Sequence, residues 1–457
     1  MLMCFVKQSG KKIITTLVVC LFVVLTGFVM SPASAYADTR GTDIVAGQSA
    51  QVRELTAEQL PDIQSEYAIV VDKDGTVYYE RNAVEPARIA SMTKIMTAIV
   101  ALEQAPLDTK VVVDEEAATV GESSAALSTG DTMTMETALY ALMVPSGNDA
   151  AIAIAKTVGA MVDPKAEDPE AVFVDLMNQK AEELRCTDSI FENPHGLDIE
   201  KFDGNLQSTA ADMAHIVAYA MSLDDFRKIV GGGDTTITVK DSAGNAKSLF
   251  LESTDELMGV YDGILGVKTG YTGDAGYCFA GAVERDGREL YTVVMNAPDS
   301  DQRFIDTRVL MDWTYQHLVE VSLAQSETHV NFPVEGENVE VPVVAQVSHT
   351  DWIDVTVPGV LADPFMTTTV FDLKGEIEQE AKWVDIVDDV AVGDIIGTLN
   401  FYQDGMLIAR SDIVAAQDVE APSFFEGVSI WWKRFIGGFS EEPEFAPSTL
   451  INEPTYA

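Results

Sequence analysis

The segment ASMTKIMTAIVALEQ, residues 90–104, decides how this chain is read. Met92, Ile95, Met96, Ile99, Val100 and Leu102 recur at helical spacing, and Pro106 lies just beyond the end, so residues 91–104 are expected to form a buried helix. Ser91 and Lys94 stand three residues apart and therefore share a face of that helix. The pair means little by itself, because Ser9 and Lys12 have the same spacing. On an otherwise apolar helix, however, burial lowers a lysine's pKa until its neutral amine is able to accept the hydroxyl proton of a neighbouring serine.

Outward from this helix the pattern alternates between strands and helices. Tyr67–Val71, a turn at Asp74-Gly75 and Val77–Tyr79 read as a β-hairpin. Further helices are expected at Met135–Met143, Asp149–Val158, Ala171–Leu184, Thr209–Met221 and Gln302–Val319, and strands at Gly263–Thr269, Tyr277–Val283 and Leu290–Met295, the last two joined by the turn Arg285-Asp286-Gly287. The fold class that follows is α+β, with helices packed on an antiparallel sheet.

Two more polar elements follow Ser91 and Lys94 in order. Ser146-Gly147-Asn148 falls in a turn between helices, and Lys268-Thr269-Gly270 ends an apolar strand. Singly each has a plainer reading: Ser146 and Asn148 as caps of the next helix, Lys268 as a strand-end surface lysine. Together they make the S-x-x-K, S-x-N, K-T-G set of penicillin-recognising serine enzymes.

On these residues the chain resembles the serine-type D-Ala-D-Ala carboxypeptidases among the low-molecular-weight penicillin-binding proteins. The likeness runs from about Tyr67 to Val319 and takes in Gly121-Glu122-Ser123-Ser124, the loop Phe191–Asp198, Ser208–Ala214 and Gly266–Thr272. It implies Ser91 as nucleophile, Lys94 as general base, and Ser146 and Asn148 relaying protons and holding the substrate amide. It implies Lys268 completing the polar network, Thr269 binding the terminal carboxylate, and the backbone N–H groups of Ser91 and Tyr271, beyond Gly270, as an oxyanion hole. Arg303, ten residues before Trp313, matches less closely an arginine that helps to bind that carboxylate. The implied substrates are peptidoglycan stem peptides ending in D-Ala-D-Ala, with β-lactams as acylating inhibitors.

Other readings fit the sequence less well. A class A β-lactamase adds a glutamate before Leu-Asn, and no E-x-x-L-N lies between Asn148 and Lys268. A D,D-endopeptidase of the same fold, or a β-lactam-binding sensor without turnover, remains an alternative. His195 with Asp198 or Asp212 invites a Ser-His-Asp triad, but its loop setting points to a structural role. No histidine has metal-ligand spacing, and neither metal nor cofactor is expected.

The termini carry address information. Lys7, Lys11 and Lys12 precede an apolar run from Ile13 to Met30, then small residues at Ala33, Ala35 and Ala37, so residues 1–37 read as a cleaved signal peptide. Residues 38–60 read as a polar segment and 61–321 as the catalytic domain. Residues 322–422 read as a small β-rich domain, 423–439 as an amphipathic helix and 440–457 as an acidic tail. Phe424, Val428, Trp431 or Trp432, Phe435 and Phe439 fall on one face of that helix beside Lys433 and Arg434, which suits an in-plane membrane anchor on the extracytoplasmic face. The net charge is −44, and losing the three signal lysines would make it −47. A field of that sign disfavours nucleic acid as a partner. Of four cysteines, Cys186 and Cys278 would remain, read as buried and unpaired.

Overall fold

A computed structural model describes residues 42–199, 202–437 and 445–456. The expected signal peptide lies outside the described residues.

The central sheet has seven strands: β1 Ile44–Val45, β2 Gln48–Ser49, β3 Tyr67–Asp72, β4 Val77–Arg81, β9 Ile264–Thr272, β10 Gly276–Arg285 and β11 Arg288–Ala297, in the order β2-β1-β4-β3-β11-β10-β9. Every pairing is antiparallel, from Ile44 with Glu80 at one side to Lys268 with Ala280 at the other. Strand β3 explains how the sheet is covered on both faces. Ile69 and Val71 enter one hydrophobic core, while Ala68 and Val70, pointing the other way, enter a second. The sheet takes in residues of the segment expected to precede the domain: Asp43 lies fully buried and forms a two-pronged ion pair with Arg81, at 2.8 and 3.0 Å. Strands of two residues are too short for a period to show.

The first core is helical. The helix Thr93–Gln104 runs through its middle, buried from Thr93 to Ala101, with helices Met135–Met143, Asn148–Val162, Pro169–Glu183 and Ala210–Met221 around it. Their starts are set by capping side chains: Thr134, Asp168 and Thr209 each accept from a backbone N–H three residues on. Helix Gln302–His317 covers the opposite face through Phe304, Leu310 and Trp313.

Other features also differ from expectation. Helix Asp224–Val230 and a four-stranded sheet of β5 Lys110–Val112, β6 Thr132–Thr134, β7 Thr235–Lys240 and β8 Ala246–Leu251 add to the helical side. Helix Gln302–His317 ends two residues early, because Leu318–Ser322 becomes strand β12 and pairs with β17, Thr367–Phe371.

Beyond Ser322 the chain forms β13 His329–Val334, β14 Glu337–Pro342, β15 Ala345–Ser348, β16 Thr356–Leu361, β18 Ile377–Trp383, β19 Ile395–Gln403 and β20 Met406–Ala415, around a core that includes Val347, Val357, Leu399, Phe401 and Ile413. Helix Phe424–Gly437 follows. Residues 445–456, within the stretch expected to be an acidic tail, return to this region: β21 Thr449–Leu450 pairs with β15, and the Asn452 amide donates to Leu323 O at 2.8 Å.

Candidate active site

Ser91 does not begin an α-helix. It sits in a short 3-10 turn, Ala90–Met92, that leads into Thr93–Gln104. Ala90 has a positive φ of 46°, and Ser146 one of 63°, a region that L residues enter at a cost of roughly 1–3 kcal/mol. The loop that forces the first of these is visible. A Cβ on Gly196, whose φ is +91°, would come within 1.9 Å of Ala90 O, so only glycine lets the Asn193–Leu197 loop press against the turn. Strand β9 closes in from the other side, where a Cβ on Gly270 would meet Ile89 O at 2.9 Å and Met92 N at 3.3 Å.

Lys94 is fully buried, and its Nζ reaches Ser91 Oγ at 2.8 Å, Asn148 Oδ1 at 2.7 Å and His195 O at 2.7 Å. Two of these partners, an amide oxygen and a peptide carbonyl, only accept. Asn148 is held in that orientation because its Nδ2 donates to Gly121 O at 3.0 Å. Ser91 Oγ is the one partner able to donate in return. A neutral amine therefore keeps its two N–H groups on the fixed acceptors and turns its lone pair to the serine hydroxyl. Burial holds the Lys94 pKa well below the ordinary lysine value, the charge on Lys268 pushes it the same way, and Asp149 opposes them.

Lys268 is also buried, and its pKa is lowered to about 7 by burial and then by Arg303, against the pull of Asp255. Its Nζ donates to Thr269 O at 3.0 Å. Thr269 and Thr254 share a 2.7 Å hydroxyl contact. Arg303, 9% exposed, donates from Nη1 to Gly270 O at 3.2 Å and lies over the Phe304 ring. Tyr271 stacks on Tyr277 with centroids 4.3 Å apart.

Ser91, Ser146, Asn148, Thr269, Gly270, Tyr271 and Arg303 thus line one cleft of about 200 Å³, with Lys94 and Lys268 buried at its base. Larger concavities, about 440 Å³ beside Trp313 and about 560 Å³ beside Glu170, have neither serine nor cysteine in their walls. His195 is in contact with the site through its carbonyl, while its Nδ1 accepts from Leu197 N at 3.1 Å. The Ser-His-Asp alternative therefore lacks its geometry. Cys186 and Cys278 are buried free thiols, both pushed up to about 12 by burial.

Sequence reasoning gave no role to three acidic residues. Asp149 ties down the loop after Ser123 by accepting from Ser124 Oγ, Ala125 N and Leu127 N. Asp255, buried near Lys268, has its pKa raised to about 6 by burial. Glu122 lines the cleft itself. Asp149 and Glu122 had a local signal, the one directly after the Ser-Gly-Asn turn and the other within Gly121-Glu122-Ser123-Ser124; Asp255 had none. Among the described residues no group of three or more histidine, cysteine or acidic side chains is arranged to hold a metal ion.

A serine whose hydroxyl meets a buried lysine, on a turn clasped between a helical block and an antiparallel sheet, defines the class: a serine hydrolase of the penicillin-recognising fold. The chain belongs to the D-alanyl-D-alanine carboxypeptidase family, Peptidase_S11, which matches residues 54–299. It is 29% identical over 390 residues to the D-alanyl-D-alanine carboxypeptidase DacF of Bacillus subtilis (strain 168), spanning 83% of this chain and 90% of that protein. With DacB2 of Mycobacterium tuberculosis it shares 32% identity over 247 residues, 54% of this chain and 79% of the relative. The crystal structure of the Streptomyces K15 DD-transpeptidase superposes with a TM-score of 0.53 at 29% identity, covering 56% of this chain and 98% of that one. DacD from Francisella tularensis, at 21% identity and TM-score 0.54, covers 79% of this chain and 95% of its own and attests the fold.

Proposed function

We propose that this protein removes the terminal D-alanine from peptidoglycan stem peptides ending in D-Ala-D-Ala, through an acyl-enzyme on Ser91. The observation that carries the reading is the set of three contacts at Lys94 Nζ, which leaves Ser91 as the one partner able to give up a proton. Lys94 takes that proton as Ser91 attacks the carbonyl between the two D-alanines. The oxyanion that develops accepts from the backbone N–H groups of Ser91 and Tyr271. Ser146 passes the proton to the leaving amine, Asn148 holds the substrate amide, and water then releases the shortened peptide. Thr269 and Arg303, backed by Lys268, bind the carboxylate of the leaving D-alanine, a charge-assisted contact that selects a chain terminus. A β-lactam acylates the same serine.

The address belongs to the same proposal. Residues 1–37 act as a cleaved export signal, residues 322–422 form a small β domain, and the segment 423–439, helical over Phe424–Gly437, rests in the membrane interface on the extracytoplasmic face. Phe424 and Phe425 are more than 80% exposed, and Trp431, Trp432, Phe435 and Ile436 all lie more than half exposed beside them. Aromatic rings of that kind suit an interface. Among the described residues no helix is long and apolar enough to cross a membrane.

The test is D-alanine release from Nα,Nε-diacetyl-L-Lys-D-Ala-D-Ala, run beside covalent penicillin labelling. Release and labelling are both expected, and Ser91→Ala abolishes both. Wild-type protein that takes the label yet releases no D-alanine overturns the carboxypeptidase reading, and labelling that survives Ser91→Ala moves the nucleophile elsewhere.

A further inference from the structure

The walls of the catalytic cleft differ in charge. On the strand side Arg303 stands behind Thr269–Gly273, whereas the loop side presents Glu122, the one carboxylate lining the cleft among the described residues. Its position is imposed by its neighbours. Glu122 has a positive φ of 58° and follows Gly121 at +88°, a backbone shape that disfavours an L side chain. Asn148 straps the loop on both sides of it, donating from Nδ2 to Gly121 O at 3.0 Å and from its backbone N–H to Ser123 O at 2.9 Å. The same Asn148 holds Lys94, so Glu122 is fixed relative to the nucleophile. Neither hydrogen bond nor ion pair restrains its carboxylate among the described residues. Arg303, a buried cation at one end of the cleft, suits a negative substrate group there, and an unpaired carboxylate on a strapped loop at another wall suits a positive one.

We infer that Glu122 selects peptides in which the residue before the D-alanyl-D-alanine unit carries a free side-chain amine. This rests on the carboxypeptidase reading above. With the terminal carboxylate at Arg303 and the scissile carbonyl at Ser91, the acyl half of the peptide leaves the cleft between β9 and the 121–124 loop. The side chain of the preceding residue then passes the carboxylate.

The experiment compares kcat/KM for D-alanine release from Nα-acetyl-L-Lys-D-Ala-D-Ala, which has a free ε-amine, with that from the Nα,Nε-diacetyl peptide. An exposed ion pair corresponds to a preference of about three- to fivefold for the free amine at low ionic strength, shrinking toward one as added salt screens it. Glu122→Gln is expected to bring the ratio to about one, and Glu122→Gly, which suits the φ of this position, to do the same; stoichiometric penicillin labelling verifies that each variant keeps an intact site. A wild-type ratio of one or less overturns the inference, as does a preference that persists in both variants, and in either case the carboxypeptidase reading stands. Release from neither peptide by labelled wild type removes that reading and this inference with it.

Discussion

Lys94 is a base only when neutral, and the sign of its pH dependence follows. Its pKa is depressed by burial and by Lys268, so the amine is free at pH values where an exposed lysine is charged. Acylation by penicillin is expected to fall as pH drops through that lowered pKa, about tenfold per unit at the limit. Lys94→Arg keeps a cation of similar reach but does not deprotonate. We expect it to slow acylation by roughly 10²–10⁴-fold, the usual worth of a positioned base, with circular dichroism unchanged. Lys268 gives a stability counterpart. Its folded pKa of about 7 lies below the ordinary lysine value of 10.5, so between those values the unfolded chain holds a proton the folded one has released. The cost of burying this lysine is therefore full below about pH 7 and relieved as pH rises toward 10.5. The difference in Tm between wild type and Lys268→Met, favouring the variant at pH 6, is expected to narrow by pH 9 in calorimetry.

At the scale of elements, close approach of backbone segments builds the site. Gly270→Ala places a methyl group 2.9 Å from Ile89 O and 3.3 Å from Met92 N, so β9 must draw back from the turn that holds Ser91. Overpacking of this kind costs about 1–3 kcal/mol and here also displaces the Tyr271 N–H. The expected result is slower acylation together with a lower Tm, measured on one preparation. What was legible in the sequence divides along the same line. The helix through residues 93–104 announces itself because its large apolar residues recur at helical spacing along a segment buried on every side from Thr93 to Ala101, and the three motifs fall at element ends where their residue types are informative. Sheet β5-β6-β7-β8 was not legible: two of its strands have three residues each, and Thr132 pairs with Lys240 across more than a hundred residues, a contact no local pattern encodes. Nor was the carbonyl of His195 as a partner of Lys94, since a backbone acceptor leaves no mark on residue type. Arg81 and Asp43 were hidden likewise. Arg81→Met leaves a fully buried carboxylate unpaired and is expected to cost about 3–5 kcal/mol in denaturant unfolding.

Across the whole molecule, the return of residues 445–456 decides how the proposed membrane contact is best tested. Deleting everything after Pro422 takes away the exposed aromatic helix, but it also takes away Thr449–Leu450 from the edge of β15 and Asn452 from its bonds to Leu323 O and Gln325 N. Such a truncation exposes a sheet edge and unsatisfied backbone groups, so lost membrane binding would be confounded with damage to the fold. Substitution separates the two. Trp431, Trp432 and Phe435 stack on one another at ring distances of 5.8–6.1 Å and are each more than half exposed, while Ile430 is buried and Arg434 donates to Thr350 O and Trp352 O. Changing the three aromatic residues to serine and keeping Ile430 and Arg434 leaves the attachment of the helix intact. Stability is expected to stay within about 0.5 kcal/mol of wild type, as for surface positions, and co-sedimentation with phospholipid vesicles to drop at least tenfold. Unchanged sedimentation of the triple variant would place the membrane contact on another surface.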